Sequence, residues 1–217
     1  MATRPLLMVG YDGVVVDSLE VLSMALIEAC ARVGLESISS LSDVLALFEN
    51  DAYARLREMG VGDAGIEEIT RKSAQALRNA LPWLKPFPLM PQLLDELGDT
   101  HHLVIVTASR EDVVWSFLHR HRISGVADVH GVGAGENTFE KVSRLVQEAP
   151  GQPVHWFVGA TVGDVRAAQH AGAMPCGVAW GWHEPDAMMA AGAARVVESP
   201  PELLEVVAPG LAADFWD

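Results

Sequence analysis

Two aspartates, a threonine and a lysine hold the chemistry this chain can offer. Asp12 sits at the tip of a Tyr-Asp-Gly turn, just after the apolar run 5–9 and Gly10. Thr107 follows the apolar run 102–106, and Asp164 lies one turn past the run 154–158 and Gly159-Ala160-Thr161. Lys141 stands near the start of a helix-patterned stretch between them. A carboxylate at a turn tip suits general acid–base work. A hydroxyl and an ammonium suit an anion, Thr107 donating one bond and Lys141 supplying charge. Backbone N–H groups of the turn after Gly10, Gly13 among them, form a nest for the same anion. Ala108 is a further expected contact, beside Thr107.

These residues meet only if their strands lie side by side. The apolar runs 5–9, 102–106 and 154–158 are continuous rather than alternating, as in strands buried on both faces. Weaker strands are expected over 126–131, 177–180 and 194–197. Helices are expected from Leu19, with Asp17 or Ser18 as cap, and over 92–97, 111–121, 140–148, 165–171, 185–192 and 200–207. Asp164 is expected to cap the helix from Val165. The stretch 41–81 reads as further helices without strand alternation. The strand–helix rhythm after residue 90 predicts a parallel α/β sheet. In such sheets ligands bind at the carboxyl ends of the strands, where the four residues stand.

Composition narrows the function classes. The chain has 217 residues, half of them hydrophobic, and a formal net charge of −14. Such a surface repels phosphate backbones and anionic lipid, so neither nucleic acid nor membrane is an expected partner. The run at the N-terminus is too short for a signal peptide or a span, and the expected location is cytoplasmic. Cys30 and Cys176, far apart in the sequence, are read as buried thiols. The stretch His119-Arg120-His121-Arg122 closes a helix, where cations suit the dipole. Trp180 and Trp182 are read as packing residues, and His183 with Glu184 as a lesser candidate acid–base pair. The tail 209–217, with Phe215 and Trp216, is expected to dock or fray.

The order of motifs resembles the haloacid dehalogenase superfamily, and within it the phosphoglycolate phosphatase-like members. The family's opening DxDGTxxDS corresponds to GYDGVVVDS here, its strand-end Ser or Thr to VIVTAS, its Lys to FEK, and its acidic motif to VGATVGD. KPFPLMPQLLDEL and AAQHAGAMPCGVAWGW extend the likeness over nearly the whole chain. The resemblance implies a three-layer, Rossmann-like parallel sheet over 1–17 and 85–217, with a small helical cap over 18–84.

Two departures stand out. The family's nucleophile, the first Asp of the opening motif, corresponds to Gly10, which leaves Asp12 in the acid–base position. A magnesium-ligand Asp corresponds to Ala160, so only Asp164 remains of the acidic motif. A lone carboxylate is a poor magnesium site, and no cofactor is expected on this reading. Asp12, Asp164 and Lys141 sum to −1 without a metal. Without the nucleophile there is no aspartyl-phosphate, a loss of roughly six orders of magnitude in a nucleophile-dependent hydrolase. The favoured expectation is a pseudophosphatase that binds a phosphate-bearing or other anionic ligand, or a protein partner. The alternative is an active hydrolase of small phosphate esters, with magnesium, in which Asp12 activates water directly.

Overall fold

A computed structural model describes residues 4–132, 136–149 and 154–209. The chain runs β1 (Leu6–Gly10), α1 (Leu19–Arg32), α2 (Leu41–Leu47), α3 (Ala52–Glu58), α4 (Asp63–Ala80), α5 (Met90–Thr100) and β2 (His102–Val106). It continues through α6 (Glu111–Arg120), β3 (Asp128–His130), α7 (Thr138–Glu148), β4 (Trp156–Gly159) and α8 (Val162–Ala171). It closes with β5 (Met174–Val178), α9 (Pro185–Ala190), β6 (Arg195–Val197) and α10 (Pro200–Val207). The tail beyond residue 209, with Phe215 and Trp216, lies outside the described residues.

The six strands form one parallel sheet in the order β3-β2-β1-β4-β5-β6. β1 lies centrally between β2 and β4, at the point where the strand order reverses. Alternate residues of each strand feed opposite layers. Leu7 and Val9 of β1 and Leu103 and Ile105 of β2 pack with α1, α5 and α6. Leu6, Met8, Val104 and Val106 pack with Val142 and Leu145 of α7 and Ala167 and Ala168 of α8. The first apolar cluster continues without a break into Val44 of α2, Leu56 of α3 and Ile69 and Leu77 of α4. The helices between β1 and α5 therefore share a core with one face of the sheet.

Four local readings need correction. The strand expected over 177–180 is Met174–Val178, placing Trp180 past its end. Pro175, which reads as a strand breaker, lies inside it opposite Phe157. The helix expected from Val165 begins at Val162, capped by Thr161 rather than Asp164. Ser18 occupies the cap position of α1 but its hydroxyl makes no capping bond. The spacing of Leu41, Val44, Leu45 and Phe48 predicts one shared helix face, yet Leu41 is exposed while Val44 is buried. No helix among the described residues is long and apolar enough to cross a membrane.

Candidate functional site

Gly10, Asp12, Thr107 and Asp164 line one small cavity at the carboxyl ends of β1, β2 and β4. Asp12 is held by three hydroxyls. Ser18 Oγ donates to Oδ1 at 2.7 Å, while Ser109 Oγ at 2.7 Å and Thr107 Oγ1 at 3.3 Å donate to Oδ2. Burial raises the Asp12 pKa, and the three hydroxyls pull it back down. A carboxylate so fully engaged has little capacity left to activate water.

Part of the expected backbone nest is used within the turn itself. The N–H groups of Val14, Val15 and Val16 all donate to Tyr11 O, and that of Gly13 donates to Val16 O. These four donors are therefore satisfied internally rather than turned toward a ligand. Gly13 has φ +77°.

Thr107 also differs from its expected role. Its Oγ1 donates to Asp12 and accepts from Ser109 N at 3.0 Å, and its carbonyl accepts from Lys141 Nζ at 2.9 Å. Ala108 O accepts a 3.4 Å bond from Tyr53 of α3. α7 starts with a capping box of Asn137 and Glu140, which fixes the first turn that carries Lys141. Lys141 is 3% exposed, and among the described residues no carboxylate lies within ion-pair distance of it. Burial lowers its pKa to about 8, opposed by Asp51, Glu136 and Glu111.

Asp164 is the third helical residue of α8 and belongs to its capping box. Oδ2 accepts from Ala160 N at 3.0 Å and Thr161 N at 3.1 Å, while Thr161 Oγ1 accepts from Asp164 N. Burial raises the Asp164 pKa, partly opposed by these bonds. Ala160 carries a methyl group where an acid would be needed, and its carbonyl accepts from Trp182 N and His183 N. The Trp182 indole covers this spot. A Cβ on Gly13 would lie 2.5 Å from Trp182 Cδ1, 2.7 Å from Nε1 and 2.8 Å from the Ala160 Cβ. Trp182 Nε1 is buried and has no hydrogen-bond partner among the described residues. Trp180, by contrast, donates to Val14 O at 3.2 Å.

His183 and Glu184 do not form a pair. His183 Nδ1 accepts from Val162 N at 2.9 Å, leaving Nε2 to donate to Leu45 O at 3.0 Å. Glu184 is exposed at the cap of α9. Further clasps close the 45–53 segment over the strand ends. Gly163 N donates to Phe48 O at 2.9 Å, and Arg166 donates to Glu49 O and Asn50 Oδ1. A Cβ on Gly163 would lie 2.4 Å from Asn50 O, so this approach requires glycine. Phe48 meets Trp182 edge to face, with ring centroids 4.9 Å apart.

Asp51 is a site residue that sequence reasoning missed. Oδ1 accepts from Ala54 N at 2.8 Å as the cap of α3, and Oδ2 accepts from Thr138 N at 3.1 Å at the start of α7. One carboxylate thus joins two helix starts that are 87 residues apart in sequence. Asp51→Ala is expected to cost about 2 kcal/mol, from a lost cap and a lost charge-assisted bond. Urea unfolding reads this directly, and an unchanged midpoint would refute the clasp.

The cavity measures about 50 Å³. That holds a few waters at about 10–15 Å³ each, against roughly 300–1,000 Å³ for a ligand cleft. Asp51 joins Asp12 and Asp164 around it. With Lys141 the formal charge is −2 rather than −1. The residues present do not fit magnesium. Asp164 Oδ2 is taken by the helix start, Gly10 and Ala160 offer no oxygen, and an indole covers the remaining side. Among the described residues no group of three or more His, Cys, Asp or Glu side chains could hold a metal.

Outside the site, Cys30 and Cys176 are free and buried, which pushes their thiols up to about 11 and about 12. His119 stacks on Trp115 and His121 meets Leu84 O, both at the end of α6.

Comparison with known proteins places this geometry in context. Residues 11–178, about three-quarters of the chain, match the family described as haloacid dehalogenase-like hydrolase. The chain is 26% identical over 202 residues to a phosphoglycolate phosphatase of Synechococcus elongatus, covering 91% of this chain and 94% of that protein. In fold it is similar to a predicted phosphatase from Clostridium acetobutylicum, with a TM-score of 0.78, 15% identity, and coverage of 96% of this chain and 100% of that one. A haloacid dehalogenase-like family protein from Streptococcus pneumoniae gives 0.71 at 17% identity, covering 95% and 99%.

Proposed function

This chain belongs to the haloacid dehalogenase-like hydrolase family, and from that membership we propose that it is a non-hydrolytic member, a pseudophosphatase. The observation that carries this reading is the filled reaction centre. Gly10 stands where the resemblance places the nucleophile, and the Trp182 indole packs on Gly13 and Ala160 where it places the metal. With no carboxylate at position 10 to attack phosphorus, the family's covalent intermediate does not form. The cavity of about 50 Å³ with three carboxylates around it also disfavours a phosphorylated ligand. The small pocket supports a role exercised through the protein surface on a protein partner rather than through ester turnover.

The second reading is a phosphatase with an altered mechanism, and the relative from Synechococcus elongatus favours it. Against it stands the engagement of Asp12 by Ser18, Thr107 and Ser109. The test is phosphate release from an aryl phosphate and from phosphoglycolate, with magnesium, by the natural chain. The expected result is no turnover above the uncatalysed background. Enzyme-like turnover that Asp12→Asn abolishes would overturn the proposal.

A further inference from the structure

We infer that Lys141 is an amine nucleophile able to capture a small uncharged aldehyde as an imine, in the cleft between α7 and the end of β3. Among the described residues the ammonium has one hydrogen bond, to the Thr107 carbonyl. It has no carboxylate within ion-pair distance among the described residues, although it is nearly fully buried. A buried ammonium without an ion pair is costly, and losing the proton relieves that cost. This agrees with its lowered pKa, about 8.

Space is available on one side. Lys141 forms part of the wall of an open cleft of about 600 Å³, together with Glu111, His130, Glu136 and Arg144. This cleft is distinct from the small cavity over Asp12, whose lining does not include Lys141. Arg144 is already committed to Glu136 and Glu148. The charged groups acting on Lys141 are Asp51, Glu136 and Glu111, with Arg144 opposing them. On the cleft wall Glu111, Asp112 and Glu136 outnumber Arg110 and Arg144, which favours a cationic iminium and disfavours an anionic aldehyde.

The chemistry is balanced without any oxidant or reductant. The Nζ lone pair attacks the carbonyl carbon to give a carbinolamine. Proton transfer to its hydroxyl and loss of one water give the imine, and the same water reverses the reaction. Glu111 and Glu136 line the cleft and are the groups placed to exchange the proton. This inference goes beyond the pseudophosphatase reading and does not depend on it.

The sequence makes the test clean, because it contains three lysines, Lys72, Lys85 and Lys141. The natural chain is incubated with glycolaldehyde and cyanoborohydride, which reduces the imine to a stable amine, and the label is located by peptide mass. At pH 7.5 a lysine of pKa about 8 has a free-amine fraction about a hundredfold above an ordinary one. Lys141 is expected to label at least about tenfold faster than Lys72 or Lys85. Its rate is expected to rise with a midpoint near pH 8 rather than near 10.4. Glu136→Gln, which removes a carboxylate at the edge of the cleft, is expected to raise the rate at pH 7. Glyoxylate is expected to label more slowly than glycolaldehyde. Labelling of Lys141 no faster than Lys72 and Lys85, or a midpoint near 10.4, overturns the proposal. Faster labelling by glyoxylate overturns the aldehyde class. The phosphate-release assay has a separate readout, so either conclusion can fail alone.

Discussion

Asp12→Ala is expected to lower the stability of this chain by about 3 kcal/mol, because Asp12 accepts bonds from three buried hydroxyls. Ser18, Thr107 and Ser109 are all buried, and each aims its hydroxyl at this carboxylate. Truncation leaves three buried donors without that acceptor. A residue kept for catalysis commonly gives the opposite outcome, since active sites sacrifice stability for function. Denaturant unfolding of the variant therefore separates the two readings of Asp12. A loss of several kcal/mol supports a structural hub. An unchanged or raised midpoint supports a working acid–base group.

The same residue carries a signed pH dependence. Burial raises the folded-state pKa of Asp12 above its ordinary 3.8, and Asp164 is shifted in the same direction. The folded chain therefore keeps protons that the unfolded chain releases. The stability tied to these groups is complete below the ordinary value and is lost as pH rises through the folded values. The stability advantage of the natural chain over Asp12→Asn is thus expected to shrink between the ordinary carboxylate pKa and neutrality. Unfolding both proteins across that range tests it, and an advantage that grows with pH would sink the idea.

Trp182→Ala is expected to cost about 4 kcal/mol, the usual scale for removing a large buried aromatic side chain. The indole is packed on Gly13, Ala160 and Phe48, so its loss empties the floor of the site and frees one side of the clasped 45–53 segment. The packing also bears on variants that introduce aspartates at positions 10 and 160. Gly10→Asp must displace Val14, whose Cγ2 lies 3.1 Å from the position of the new Cβ. Ala160→Asp must place a carboxylate at a fully buried position beside an indole. The two aspartates together are therefore expected to fold poorly unless Trp182 is also reduced in size. If Trp182→Ala unfolds at the same denaturant concentration as the natural chain, the indole does not fill the site.

Much of the site was readable along the chain because each piece is local. The runs ending at Gly10, Val106 and Gly159 are apolar on both faces and therefore read as buried parallel strands, whose ends bring Asp12, Thr107 and Asp164 together. What each residue does there was not readable. Asp12 meets Ser109 across 97 residues, Arg166 meets Glu49 across 117, and Trp180 meets Val14 across 166. Ser18 looked like a helix cap and Asp164 like another. Their local propensity was outweighed by an acceptor across the pocket in one case and by a capping box begun at Thr161 in the other. The tie of Asp51 to Thr138 and the contact of Phe48 with Trp182 were not readable in the run 45–53, since those partners are brought near only by folding.

By itself, the sequence determined the parallel α/β architecture and the family, and it set Gly10 and Ala160 where the resemblance expects carboxylates. Strand burial and motif order are properties of contiguous residues, and an absent side chain needs no fold to be seen. Only the tertiary structure decided that the vacated space is closed by Trp182 and Phe48, and that the turn after Gly10 uses its own N–H groups. It also decided that Lys141 is buried without an ion pair among the described residues. Hydrogen-bond saturation, packing and desolvation depend on which distant groups share the space, and folding alone sets that.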